Sequence, residues 1–288
     1  MDYEGNIIRP PSEANSIILQ ATVGCSHNAC TFCGAYRDKK FRIKEDAVIR
    51  QDLEFAARYC GRQKTLFLAD GNALAIPHPA MMQLLSRIRE MLPQVRRIST
   101  YANCQDILRR SPRELKLLKS LGLQRIYMGL ESGHRLILER IGKGAAPGDM
   151  VEAGRRVREA GIFLSATVLL GIGGREYSQA HARETAKVLN RMQPSQIAVL
   201  TLMLLENTPL GRQCGRGKFQ LPDREALFTE LRDLLAGLET RAQFQANHAS
   251  NYFVLDGRLP RDREKFITLA DRAIQGEIAL KPEQYRAL

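Results

Sequence analysis

Residues 17–36 read IILQATVGCSHNACTFCGAY, an apolar stretch running straight into three cysteines, Cys25, Cys30 and Cys33. The apolar part, 17–22, is short and rich in large or β-branched side chains, as expected of a strand buried on both faces. Strands of that kind belong to parallel sheets covered by helices, so this segment sets the expectation for the rest of the chain. The three thiols fall within nine residues and begin where the strand ends. That is the end of a strand at which parallel α/β proteins assemble their sites.

Working outward, the alternation continues. Short apolar runs at 66–69, 98–101, 125–129, 163–170 and 197–203 read as further strands, and amphipathic stretches at 46–60, 79–91, 112–121, 148–160 and 179–191 read as helices. Gly61, Gly122 and Gly161 stand at or just past three of the helix ends, where a left-handed residue stops a helix. Six strand–helix units in succession imply parallel strands with right-handed crossovers. The expected fold is α/β, a partial (β/α)6 TIM-type barrel with a helical C-terminal extension; a doubly wound sheet shows the same alternation. After Pro209 the pattern changes to a helix over 223–238, an irregular stretch over 244–260 and a closing helix over 261–275. The expected organisation is an N-terminal extension (1–14), the barrel (15–210) and a mostly helical extension packing on it (211–288).

Six cysteines stand at 25, 30, 33, 60, 104 and 214. Three clustered and three isolated thiols do not suggest a disulfide framework; they suggest metal ligation. An iron–sulfur cube takes four cysteines when fully ligated. Three ligands leave one iron open to bind something else. Zinc is the rival, with His27 as a fourth ligand, although a histidine between the cysteines makes strain-free wrapping difficult. Cys60 reads as a buried helix residue.

The bulk numbers narrow the classes. The chain has 288 residues, is 44% hydrophobic and 26% charged, and so is long enough to bury a core without disulfide staples. No apolar run approaches the ~18 residues of a membrane span, and the first residues lack a basic-then-apolar signal pattern. A cytoplasmic, membrane-free protein is expected. The 43 basic and 31 acidic residues give a net charge of +12. That surplus suits nucleic acid, phosphorylated substrates or simply solvated helix faces, and no RNA-recognition motif accompanies it.

A three-cysteine loop with an aromatic before the last cysteine, after the first strand of a β/α chain, resembles the radical S-adenosylmethionine superfamily. The ordered pieces RPPSEANSIILQATVGCSHNACTFC, LFLADGNAL, LGLQRIYMGLESG, LSATVLLGIGGRE, LTLMLLENTPL and NHASNY extend the resemblance over residues 7–275, near the Elp3/MiaB/NifB-like group. The common spacing has three residues between the first two cysteines; here there are four. The resemblance implies an oxygen-sensitive enzyme with a [4Fe–4S] cluster on Cys25, Cys30 and Cys33. It implies reductive cleavage of S-adenosylmethionine to a 5′-deoxyadenosyl radical that abstracts hydrogen from a substrate. An external one-electron reductant of flavodoxin or ferredoxin type follows. A small-molecule substrate is expected, with RNA or tRNA modification as the alternative. A non-catalytic electron carrier or redox sensor is the non-enzyme alternative. Methyl transfer is disfavoured because no vitamin B12 domain or second cysteine pair is visible.

The same resemblance assigns residues. Phe32 presents its backbone to the adenine, or is a loop aromatic packed on the barrel. Gly71 and Asn72, in Asp70-Gly71-Asn72, occupy the place of a Gly-Gly-Glu-like motif for the methionyl amino group, or form an ordinary turn. Glu131 accepts ribose hydroxyls or holds the ammonium, or favours a helix dipole. Thr167, Gly171 and Gly173 belong to the fifth-strand motif that approaches the adenine. The cation-rich run 36–44 neutralises an anion or is a solvated loop. Tyr36, Tyr101, Asn103, Cys104, His248 and Asn251 line the substrate cavity, with 247–252 as a cap. His78, His134 and His181 read as loop or helix-cap residues.

Overall fold

The computed structural model describes residues 1–287, and the chain divides into two compact units. The first comprises Met1–Asn28, Ala35–Met128 and Arg156–Leu164; the second comprises Ala29–Gly34, Gly129–Arg155 and Ser165–Leu288.

The first unit holds β1 (Ile17–Gln20), β2 (Thr22–Val23), β3 (Arg42–Ile43), α1 (Asp46–Tyr59), β4 (Thr65–Ala69), α2 (His78–Met91), β5 (Arg97–Tyr101), α3 (Cys104–Leu108) and α4 (Pro112–Ser120). It also takes all but the end of β6 (Leu123–Glu131). β1, β4, β5 and β6 pair in parallel in that order, with Ile17 opposite Leu66 and Leu66 opposite Ile98. The strands are short, apolar and buried because helices return the chain between them. Leu19, Phe67, Leu68 and Ile126 are fully buried. Helix starts follow local chemistry. At α4 the Ser111 hydroxyl accepts from the Glu114 amide while the Glu114 carboxylate accepts from the Ser111 amide, and Pro112 presets the first turn. Gly122 and Gly161 have φ +105° and +72°, as the helix-stop reading expects.

The second unit holds α5 (Arg135–Arg140), most of α6 (Pro147–Glu159), most of β7 (Phe163–Leu170), α7 (Gly174–Met192), β8 (Gln196–Thr201), α8 (Pro209–Gly215), α9 (Arg224–Ala236), β9 (Gln243–Ala246), β10 (Leu255–Arg258) and α10 (Arg263–Ile274). β7 and β8 pair in parallel from Ser165–Gln196 to Leu170–Thr201, and β8 pairs in parallel with β9. β10 runs antiparallel to β9. α9 packs against both α7 and α10.

This corrects the expectation of an irregular 244–260. Within it β9 adds to the sheet and β10 follows. Gln243-Phe-Gln-Ala alternates in burial over only four residues, and Leu255-Asp-Gly-Arg carries two poor strand formers. Neither announces a strand; pairing of β9 with β8, and of β10 with β9, makes them strands. α7 begins at Gly174 rather than at 179, so the glycine run Gly171–Gly174 leads directly into the helix. Cys60 is half-buried at the C-terminal cap of α1 rather than inside a core helix. No helix among the described residues is long and apolar enough to cross a membrane.

Candidate cofactor site

In the first unit the chain turns at Gly24 (φ +78°) to present Cys25. The Gly24 amide donates to Asp70 Oδ2 at 2.8 Å, and Gln20 Nε2 donates to the same oxygen at 3.2 Å. Asp70 is wholly buried, with Lys39 Nζ 3.7 Å from Oδ2, and its Oδ1 has no hydrogen-bond partner. Gly71 lies against the cysteine. A Cβ there would stand 2.8 Å from Cys25 Cβ and 2.8 Å from the Tyr36 ring, so only glycine fits.

Asn72 does not present a free amide. Its Nδ2 donates to Ser26 Oγ at 2.6 Å and to Asp106 Oδ2, while its Oδ1 accepts from the Asn103 amide at 3.3 Å. Asn103 Nδ2 reaches Ser26 Oγ at 3.4 Å and Cys25 Sγ at 3.9 Å. Both asparagines therefore tie the turns after β4 and β5 to the cysteine loop. Asp106 was not anticipated; on α3, buried and paired with Arg109 at 3.0 Å, it is the anchor of this group. Cys104, also buried, opens α3.

Tyr101 packs edge-on to Phe67 and Tyr127 at centroid distances of 5.2 and 5.9 Å, and burial raises its phenol well above the usual range. Tyr127 in turn donates to Glu13, which is fully buried and held by Arg97 at 3.2 Å. The cationic run 36–44 holds the N-terminal residues: Arg42 pairs with Glu4, Lys44 with Asp2 at 3.5 Å, and Lys39 donates to the Glu4 carbonyl at 2.9 Å.

In the second unit Cys30 and Cys33 share a turn, with the Cys33 amide 3.3 Å from the Cys30 carbonyl. The Thr31 amide donates to Ile141 and its carbonyl accepts from Leu210, at 2.8 and 2.9 Å, so the ends of α5 and α8 pin the turn from both sides. The Phe32 ring packs against a buried apolar cluster that includes Ile137, Ile141, Leu169 and Leu210.

Glu131 ends β6 at φ +61°, and its Oε1 is 2.9 Å from Lys143 Nζ. A side chain at Gly129 would collide with that carboxylate, its Cβ 2.1 Å from Oε1. Thr167 lies in β7 opposite Ala198. The Gly171 amide (φ +81°) donates to Glu230 Oε1 at 2.7 Å, and a Cβ there would sit 2.9 Å from Leu227 of α9. A Cβ on Gly173 would sit 3.0 Å from Ile137. His181 lies buried in the middle of α7, not at a cap, and its Nδ1 is 2.8 Å from Ser132 Oγ. His134 is the N-cap residue of α5 and His78 opens α2.

The 247–252 segment is bonded to the end of β8. Asn251 accepts from Thr201 Oγ1 at 2.9 Å and donates to the Val199 carbonyl at 2.8 Å; Ser250 Oγ binds the Thr201 amide at 3.2 Å and His248 Nδ1 at 2.9 Å. Arg286 closes it from the C-terminal side through the Ser250 carbonyl at 2.7 Å. Asn251 is thus a framework residue. Burial, and then the charge of Lys281, lower the pKa of His248.

Among the described residues, no three His, Cys, Asp or Glu side chains surround a single metal-ion position. Ligands of an iron–sulfur cube grip different irons and need not converge on one point.

A model of the radical SAM superfamily matches residues 19–189, more than half of the chain. The chain belongs to that superfamily. The superfamily's cofactors are a [4Fe–4S] cluster and S-adenosylmethionine. Among curated proteins it is similar to the heme chaperone HemW of Bacillus subtilis, 24% identical over 166 residues, covering 56% of this chain and 42% of that protein. The radical S-adenosylmethionine methyltransferase TsrM of Kitasatospora setae shares the fold at TM-score 0.61 and 18% identity, covering 77% of this chain and 52% of that one. Coproporphyrinogen III oxidase (HemN) of Escherichia coli does so at TM-score 0.57 and 15% identity, covering 77% and 51%. The chain thus spans about half, or less, of the length of these relatives. The expected α/β class, with mostly parallel strands, is the fold it shares with them.

Proposed function

We propose that Cys25, Cys30 and Cys33 hold a [4Fe–4S] cluster and that the chain uses it to cleave S-adenosylmethionine and abstract hydrogen from a small-molecule substrate. The observation that carries this reading is the Cys25 turn. Gly71 leaves it room, Asn103 directs an N–H at its sulfur, and the neighbouring Asp70 keeps a buried carboxylate oxygen without a partner. A sulfur ligand with a nearby amide donor, beside an unsatisfied carboxylate, suits a cluster–cofactor site. The half-buried state of all three cysteines suits ligands that must also be reached by a cofactor.

When bound, the reduced cluster and S-adenosylmethionine supply a 5′-deoxyadenosyl radical. The protein's own residues hold and orient. Cys25, Cys30 and Cys33 supply thiolates, and Gly71 and Asp70 shape the wall for the methionyl amino group. Glu131, poised by Lys143, accepts ribose hydroxyls, and Thr167, Gly171, Gly173 and the Phe32 backbone border the adenine. Tyr36, Cys104 and His248 face substrate; Asn72, Asn103 and Asn251 act through the residues they bond. The chain works in the cytoplasm with a flavodoxin- or ferredoxin-type reductant.

The test is anaerobic reconstitution. The protein becomes brown, binds about four irons and forms 5′-deoxyadenosine with dithionite and S-adenosylmethionine, and each of Cys25→Ala, Cys30→Ala and Cys33→Ala loses the cluster. A colourless zinc protein sinks the proposal. The net charge of +12 supports a second reading, an RNA-modifying enzyme. Salt-sensitive co-purification of tRNA would favour it.

A further inference from the structure

The second unit contains a buried polar relay. Glu230, from α9, is 1% exposed; its Oε1 accepts from the Gly171 amide at 2.7 Å and its Oε2 from Ser178 Oγ. His181 Nε2 lies 3.6 Å from the same Oε1, while Nδ1 meets Ser132 Oγ at 2.8 Å. Ser132 Oγ also accepts from the His134 amide at 3.0 Å, and the Gly133 amide donates to Thr185 Oγ1 at 2.8 Å. Glu230 thus holds the turn after β7 through Gly171, and His181, packed 3.6 Å from Glu230 without a hydrogen bond between them, holds the turn after β6 through Ser132. Those are the two turns to which the nucleoside half of the cofactor is assigned above.

We propose that Glu230 and His181 are positioning residues that hold these two turns in register from behind, so that a residue of the C-terminal region sets cofactor affinity without touching the cofactor. The proposal rests on the reading of Gly171 and Glu131 as cofactor-binding. Three features favour it over simple core filling. An unpaired carboxylate has no reason to be buried beside apolar helices unless something there needs an acceptor, and a backbone amide at a left-handed glycine does. The carboxylate engages a turn amide rather than a residue of its own helix. The histidine it faces continues to the second turn rather than ending in the core. Desolvation pushes Glu230 up to about 7 and His181 down to about 3, so the relay is a dry one.

The experiment compares the full-length, cluster-loaded protein with Glu230→Ala, Glu230→Gln and Ser132→Ala by equilibrium dialysis with S-adenosylmethionine, alongside iron content. Loss of the buried acceptor of the Gly171 amide predicts about tenfold weaker binding for Glu230→Ala with iron content unchanged. Glu230→Gln, which retains an acceptor for Gly171, stays within about twofold of wild type. Ser132→Ala removes the hydroxyl that holds His181 and accepts from the His134 amide, and serves if Glu230→Ala fails to fold. Its expected weakening is a few-fold. Wild-type affinity in every folded variant overturns the proposal. Gly171→Ala separates the two claims. If it too binds normally, the assignment of the Gly171 turn to the cofactor has failed. If it alone loses binding, the relay is core structure only.

Discussion

Two polar networks support the proposed cofactor environment, one in each compact unit, and they are built differently. Around Cys25, Ser26, Asn72, Asn103 and Asp106 share short side chains, several of them partly exposed, and Asp106 is balanced by Arg109 on the surface. Around Gly171, Ser132, His181 and Glu230 are almost entirely dry with Ser178 half-buried at the edge, and among the described residues no Lys or Arg pairs with the carboxylate. The wet network can trade a lost partner for water, so each bond is worth about 1 kcal/mol. The dry one cannot, and a stranded group there costs the full desolvation of its neighbour. The first suits a ligand loop that must admit a cluster; the second suits a scaffold that must not shift.

The largest effect is expected where no side chain can be tolerated at all. Gly71→Ala forces a methyl to within 2.8 Å of Cys25 and of Tyr36, and iron bound after reconstitution should fall to a small fraction of wild type while the circular dichroism of the fold is retained. Full iron content would remove the tight fit from the argument.

Next comes the pH dependence of the dry network. Glu230 has its native pKa raised to about 7 from 4.5, so between those values the folded state binds more protons than the unfolded, and its contribution to stability falls as pH rises. His181 has its native value lowered to about 3 from 6.5, so its contribution is lost as pH falls below 6.5. The two slopes oppose each other between pH 4.5 and 6.5. Glu230→Gln removes one of them. Urea midpoints of that variant should therefore drop more steeply on acidification below pH 6.5 than those of wild type, and its advantage over wild type should grow from pH 4.5 to about 7. Parallel curves would show that Glu230 titrates as an ordinary carboxylate.

In the wet network Asp106→Ala removes one of the two acceptors of Asn72 Nδ2, leaves Ser26 as the other, and frees Arg109, and a loss of about 1–3 kcal/mol by chemical denaturation is expected. The smallest effect belongs to Arg42→Ala at the exposed pair with Glu4, within about 0.5 kcal/mol. A cost there as large as that of Asp106→Ala would erase the contrast between buried and exposed polar groups.

Much of the fold was legible because the strands of parallel α/β proteins announce themselves. Residues 163–170 read as a strand and are one, and β4, β5 and β8 begin within a residue of expectation, since apolar runs bounded by glycine-stopped helices allow few alternatives. β9 and β10 escaped because four polar-containing residues carry too little periodicity to read alone. The site was legible in kind: the cysteines stood out by their spacing, and the family resemblance singled out the glycines and Glu131. Whether a polar side chain faces cofactor or holds a neighbour was not. Asn72, Asn103 and Asn251 turned out to be bonded inward, Asp106 stands on a short helix that the sequence did not announce, and Glu230 gave no sign in a helix that looked ordinary.

The sequence by itself determined the three-cysteine loop, its place after the first strand and the strand–helix alternation, because these depend on residue type and short spacing. Only the tertiary structure decided that Cys25 leans on Gly71 and Asn103, and that His181 and Glu230 meet behind Gly171. Those residues lie 46 to 78 positions from Cys25 and 10 to 59 from Gly171. Partners so far apart in the chain meet only when strands pair and helices return, and hydrogen-bonding groups are sorted into wet and dry by that packing alone.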